Sequence, residues 1–187
     1  ANTISQLNHP HIISIYNVFE ENGTAYYVMK YIANGSLKDI VEQQGALSEK
    51  TALSFIRKIG SALNYIDGKK ILHLDIKPAN ILLDDKQPIL IDFGISKRYD
   101  VSGHQTSSTP VGISKGFAPM EQYSQGGIKG FDPSTDVYSL GATLFYLITG
   151  EVPPEASIVN EDGLPPLPNK ITVGTAQAIE KAMQPRR

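Results

Sequence analysis

The run His73-Leu74-Asp75-Ile76-Lys77-Pro78-Ala79-Asn80, followed further on by Asp92-Phe93-Gly94, gathers the groups of this sequence best suited to chemistry. Between them lie two short apolar runs, 81–83 and 89–91, which read as the strands of an antiparallel hairpin with 84–88 as its turn. Such a hairpin would set residues 80 and 92 opposite each other at its open end, an Asn amide oxygen beside an Asp carboxylate. Both are hard oxygen ligands of the kind Mg²⁺ takes when it also binds phosphates. Asp75 and Lys77 enter the same end from upstream. A metal there would neutralise phosphate charge, the Lys would screen a transferring group, and the Asp75 carboxylate would orient an attacking hydroxyl. The inventory therefore suits phosphoryl transfer. The plainer alternative is that Asp75, Asn80 and Asp92 only cap turns, but turn chemistry gives no reason for a Lys two residues after Asp75.

The elements that must hold these groups follow from periodicity and caps. Residues 16–19 and 26–32 are β-rich and flank Glu21-Asn22-Gly23, a hairpin signal. Ser36 can cap a short helix bearing Leu37, Ile40 and Val41, which Gly45 stops. Ser48 caps a longer one with Ala52, Ile56, Ile59, Leu63 and Ile66 on one face and Gly68 at its end. Residues 96–116 lose all pattern and predict a long surface loop. A strongly apolar helix is predicted over 136–149, an irregular Pro-rich stretch over 152–168, and a last helix over 175–183.

Composition sets outer bounds. The 187 residues carry 17 Lys+Arg against 19 Asp+Glu, a net charge of −2, which argues against a nucleic-acid or polybasic membrane binder. With 41% hydrophobic residues the chain reads as globular, and with no Cys it has neither a disulfide framework nor a thiol nucleophile. The longest apolar stretch, 140–148, is too short to span a bilayer, and residues 1–7 do not read as a signal peptide. A cytoplasmic protein is the expectation.

On the motifs quoted above, the sequence resembles the eukaryotic-type protein kinase family, with a soft likeness to its bacterial members. His73-x-Asp75-x-Lys77-x-x-Asn80 looks like the catalytic loop and Asp92-Phe93-Gly94 like the magnesium-binding motif. The resemblance implies that Asp75 is the catalytic base, that Lys77 contacts the transferred phosphate, and that Asn80 and Asp92 hold the metal. Lys at 77 is the family's serine/threonine pattern. Tyr27-Val28-Met29-Lys30-Tyr31-Ile32 is similar to the strand entering the hinge, so Met29 falls at the gatekeeper position and the backbones of Lys30 and Ile32 would face adenine. Leu82 would pack beneath the adenine. Ser36 lies where many kinases contact ribose, with a helix cap as the equal alternative. Ser114 would pair with Asp75 and Lys77, and Pro119-Met120-Glu121 stands where Ala-Pro-Glu is usual. Asp136-Val137-Tyr138 resembles the start of the central helix, whose Asp braces the catalytic loop.

The implied fold is α+β and protein-kinase-like: a mainly α-helical large lobe over 33–187 and a truncated β small lobe over 1–32. The implied cofactors are ATP and Mg²⁺, with Mn²⁺ as an alternative. The implied partner is a protein substrate with a Ser or Thr acceptor. Two departures stand out. Leu74 replaces the Arg that ordinarily grips a phosphorylated activation loop, which puts the usual control by 106–109 in doubt. No Gly-x-Gly-x-x-Gly and no Val-Ala-x-Lys occurs, so this chain alone is expected to transfer little phosphate, and it reads as part of a longer enzyme. A pseudokinase scaffold and a small-molecule kinase are the rival readings.

Overall fold

The structure is a computed structural model describing residues 4–93, 97–98, 113–123 and 132–184. Near its start, Asn22 and Gly23 both take positive φ (52° and 71°) and close a two-residue turn between β1 (Ile15–Glu21) and β2 (Thr24–Met29). This turn twists in the same sense as the strands it joins, which favours Asn-Gly. β2 ends at Met29 rather than at 32, and 30–35 run irregularly into α1 (Leu37–Gln44). A reciprocal cap starts that helix. Ser36 Oγ accepts the Asp39 N–H at 3.2 Å, and the Asp39 carboxylate accepts the Ser36 N–H at 2.7 Å.

Ser48 caps α2 (Glu49–Asp67), which buries Ala52, Phe55, Ile59, Ala62, Leu63 and Ile66. Ile56, predicted on this stripe, lies half-buried at its margin. Two strands follow that the sequence reading did not identify. The two-residue strand β3 (Ile71–Leu72) pairs antiparallel with the equally short β6 (Lys97–Arg98), which lies within the predicted loop. Elements of two residues are too short to show a period.

β4 (Ile81–Asp84) and β5 (Gln87–Leu90) form the expected hairpin in a corrected register. Asp85 and Lys86 both adopt positive φ (45° and 64°), giving a tight two-residue turn instead of the broad 84–88 turn. Asp84 therefore faces Gln87 and Ile81 faces Leu90. Residue 80 then lies opposite 91, with the Ile91 N–H donating to Asn80 O at 2.9 Å, and Asp92 sits one residue beyond. A turn of this kind usually takes Gly at its second position, and Asp-Lys gave no sign of it.

α2 and the last helix pack on α3 (Pro133–Thr149), which is buried nearly all round, with Tyr138, Ala142, Leu147 and Ile148 fully enclosed. It starts three residues before its predicted beginning, because Asp132 accepts the Ser134 N–H and Pro133 fits the first helical position. α4 (Ala156–Asp162) corrects the irregular reading of 152–168. It has no side-chain cap, and the prolines around it masked a two-turn helix. α5 (Val173–Ala182), capped by Thr172, closes against α3. Gly141 makes that closure possible, since a Cβ there would stand 2.7 Å from Ala182 Cβ and 3.1 Å from Met183 Cγ. Gly141→Val is expected to cost about 1–3 kcal/mol by overpacking. A thermal melt checks this; a raised melting temperature would contradict the close-approach argument. Among the described residues no helix is long and apolar enough to cross a membrane.

Candidate active site

The loop between β3 and β4 is built on α3. Asp136, 3% exposed, accepts two backbone N–H groups: His73 on Oδ2 and Leu74 on Oδ1, each at 2.8 Å. Asp136 thus braces the backbone of this loop, as the resemblance implies. Burial pushes its carboxyl up, opposed by the two N–H donors. Leu74 takes a left-handed φ of 68° while 2% exposed. That conformation disfavours a residue with a Cβ, so surrounding bonds must hold it.

His73 is wholly buried, and its ring stands edge-on to Phe93 with centroids 4.7 Å apart. Its Nε2 lies 3.0 Å from Ile91 O, and its Nδ1 lies 3.3 Å from the Asp75 N–H. A carbonyl can only accept and an amide N–H can only donate, so the proton sits on Nε2 and the ring is neutral. Burial, the dominant influence, lowers its pKa and favours the same state.

Asp75 gathers the predicted groups around its carboxylate. Oδ1 accepts the Ser114 hydroxyl at 2.6 Å, and Oδ2 accepts Asn80 Nδ2 at 2.8 Å and Lys77 Nζ at 2.8 Å. Lys77 also donates to Ser114 Oγ at 2.9 Å, closing a triangle of side chains. Burial raises the Asp75 pKa, but the bonds from Lys77, Ser114 and Asn80 outweigh it and hold the carboxyl below its usual range. Pro78, at the first position of the 3-10 turn Pro78–Asn80, directs Asn80 inward to 7% exposure.

The Asn80 amide can be oriented by its partners. Nδ2 donates to both Asp75 O (2.9 Å) and Asp75 Oδ2, which turns Oδ1 the other way, as a cation ligand requires. Asp92, at φ 61°, lies at the same end of the hairpin and lines a cavity of about 310 Å³ with Met29, Ile13, Ile15, Tyr27 and Phe93. Among the described residues no cluster of three or more His, Cys, Asp or Glu could hold a metal unaided. An ion here would take the rest of its shell from phosphate and water, which is the habit of Mg²⁺.

The remaining predicted residues spread outward from this cluster. Met29 is half exposed at the mouth of the Asp92 cavity. Lys30 donates its N–H to Ser14 O and pairs its ammonium with Asp84. Ile32 packs with Ile13 and Ile89, and Leu82 lies against the same cluster. The Ser36 hydroxyl is engaged by Asp39 on both its donor and acceptor sides. The Ser and Thr at 106–109, and Gly94, lie outside the described residues.

Two features of the 113–123 segment escaped the sequence reading. Gly116 at φ 78° lets the chain press on the stretch that follows α3, since a Cβ there would stand 2.4 Å from Pro153 O. The segment thereby walls a cavity of about 470 Å³ with Lys38, Pro78, Phe117, Tyr146 and Val152, opening beside Ser114. Gln122, 5% exposed, donates from Nε2 to Leu74 O at 2.8 Å. Glu121 accepts the Thr135 hydroxyl at 2.9 Å, tying the segment to the first turn of α3. A larger cavity of about 880 Å³, beside α5 and the 163–171 stretch, shares no residue with the Asp75 cluster.

The profile of the protein kinase domain matches residues 1–181. The chain belongs to the protein kinase family. Relatives of this kinase chain include the probable serine/threonine-protein kinase zyg-1 of Caenorhabditis briggsae, 34% identical over 97% of this chain and 25% of the relative. PrkC of Bacillus subtilis, a serine/threonine-protein kinase, is 35% identical over 82% of the chain and 23% of its own length. PknB of Mycobacterium tuberculosis, also a serine/threonine-protein kinase, is 34% identical over 89% and 28%. The kinase chain thus spans about a quarter of the length of these relatives. Kinases of this family use ATP with a divalent metal.

Proposed function

We propose that residues 1–187 belong to an enzyme that transfers the ATP γ-phosphate to Ser or Thr hydroxyls of protein substrates. The observation that carries the reading is the cluster in which one carboxylate, Asp75, is held by Lys77, Asn80 and Ser114. In this reading Asp75 accepts the substrate hydroxyl's hydrogen bond and aims its oxygen, Lys77 steadies charge on the transferring phosphoryl, and Ser114 fixes both. Asn80 and Asp92 would hold Mg²⁺, or Mn²⁺ in its place, whose chemistry is to neutralise phosphate charge. Met29 and Leu82 would border adenine, with hydrogen bonds from the Lys30 and Ile32 backbones. Ser36 is read as a cap because Asp39 occupies its hydroxyl. The cavity beside Ser114 would seat the substrate peptide. Residues 1–32 would be small-lobe structure and 33–187 the large lobe, and the enzyme would work in the cytoplasm, where ATP and Mg²⁺ are plentiful.

The test is radiolabelled transfer from ATP with Mg²⁺, using the gene product that contains these residues and a Ser/Thr-bearing protein. Phosphoserine or phosphothreonine is the expected product. Residues 1–187 by themselves lack a Gly-rich loop and its partner Lys, and should be slower by about a hundredfold or more, since phosphate positioning is lost. Label appearing on a small-molecule alcohol but on no protein would overturn the reading.

A further inference from the structure

We propose that Gln122 is a positioning residue: its side-chain amide holds Leu74 in the left-handed conformation that sets the direction of Asp75. The inference rests on the reading of Asp75 as the group that aims the substrate hydroxyl. Leu74 immediately precedes Asp75, and its φ of 68° is a conformation that an L-residue leaves unless its surroundings fix it. Both of its backbone polar groups are fixed, and by side chains from different elements. Asp136 of α3 takes the N–H at 2.8 Å, and Gln122, in the 3-10 turn Met120–Tyr123, donates to the carbonyl at 2.8 Å.

The orientation of the Gln122 amide is settled by its partner, because Leu74 O can only accept and Nε2 must face it. The opposite end, Oε1, is buried with no hydrogen-bond partner among the described residues. A side chain that tolerates a buried, unpaired acceptor is placed for the sake of its donor, since burying an unpaired polar atom is unfavourable. The placement also links two parts of the site. The segment that carries Gln122 carries Ser114, whose hydroxyl meets Asp75 Oδ1 at 2.6 Å. One segment thus holds the Asp75 side chain through Ser114 and the preceding backbone through Gln122. Asp136 alone secures only the N–H side of Leu74; of the peptide plane between 74 and 75, His73 Nδ1 faces the Asp75 N–H at 3.3 Å and Gln122 holds the Leu74 carbonyl at 2.8 Å.

The experiment is solution NMR on the isotopically labelled 187-residue chain, native and Gln122→Met, a change that keeps side-chain length and removes the donor. In the native chain a scalar coupling across the Gln122 Nε2 to Leu74 carbonyl hydrogen bond is expected. In Gln122→Met, three-bond backbone couplings should show Leu74 leaving positive φ. Amide exchange at Leu74 and Asp75 should accelerate about tenfold, with α3 amides unchanged. Absence of the native coupling would overturn the proposal, and this decides the matter even if the variant does not fold. Leu74 retained at positive φ in a folded variant would also overturn it, whether exchange is unchanged or rises uniformly, because Gln122 would then be a space-filler. None of these measurements needs turnover. Failure of the transfer test with Leu74 still held by Gln122 would therefore sink the functional reading alone.

Discussion

Asp75→Asn should lower phosphate transfer by the gene product containing these residues by about 10²–10⁴-fold, the range for loss of a positioned acid–base group. Its melting temperature should stay within a few degrees of the native value. The contrast follows from the partners. Asn matches Asp in shape, and its carbonyl end can keep the bonds from Asn80 Nδ2 and Lys77 Nζ that Oδ2 accepts now. Its amide end would then face Ser114, whose hydroxyl can turn from donating to accepting. The local network is thereby preserved. What disappears is the negative charge that would take a substrate hydroxyl's proton, together with the counter-charge of Lys77. A steady-state transfer assay beside a thermal melt reads both quantities. Unchanged transfer by a folded variant would remove Asp75 from the chemistry.

The second large effect is the reverse case, a change felt in the fold. Asp136→Ala should destabilise the chain by about 2–5 kcal/mol, since each buried N–H left without an acceptor costs roughly 1–3 kcal/mol. His73 and Leu74 would both lose theirs. Part of the loss is offset, because the carboxylate is itself unfavourably buried, as its raised pKa indicates. For a chain of this size that amounts to a melting temperature lower by roughly 5–20 °C. The loop bearing Asp75 should loosen before the rest unfolds, so local amide exchange at 73–75 would rise more than exchange in α2. A melting temperature unchanged to within a degree would mean that the two N–H groups find other acceptors.

These two residues also show what could be read in the sequence. Asp75, Lys77 and Asn80 were legible because their spacing is a chemical pattern, Ser114 only through the family resemblance, and the structure brings all four into one cluster. Ser36, Ser48, Gly45 and Gly68 marked helix ends because capping depends on local hydrogen bonds that a few residues decide. The register of β4 and β5 was not legible. It depends on two positive φ angles at Asp85 and Lys86, which neither residue type announces. Nor was Gln122 noticed as a contact, since it meets a residue 48 positions away through a backbone carbonyl. Backbone carbonyls are the same at every position, so no pairing of residue types points to such a bond. α4 was hidden for a different reason, because prolines next to a short helix dominate the local pattern.

The neutral His73 ring has a consequence for how acid acts on this protein. Folding encloses the ring with its one proton on Nε2 donated to Ile91 O and with Nδ1 facing the Asp75 N–H. The folded pKa is therefore depressed below 6.5, while the unfolded chain binds a second proton near that value. Above 6.5 the ring is neutral in both states and contributes no pH dependence. As pH falls below 6.5, the unfolded chain takes up a proton that the folded chain refuses, so this one residue weakens the fold by up to about 1.4 kcal/mol per pH unit until the buried ring itself titrates. At His73, acidification acts as a mild denaturant of the loop beneath Asp75, not as a signal that the loop can read.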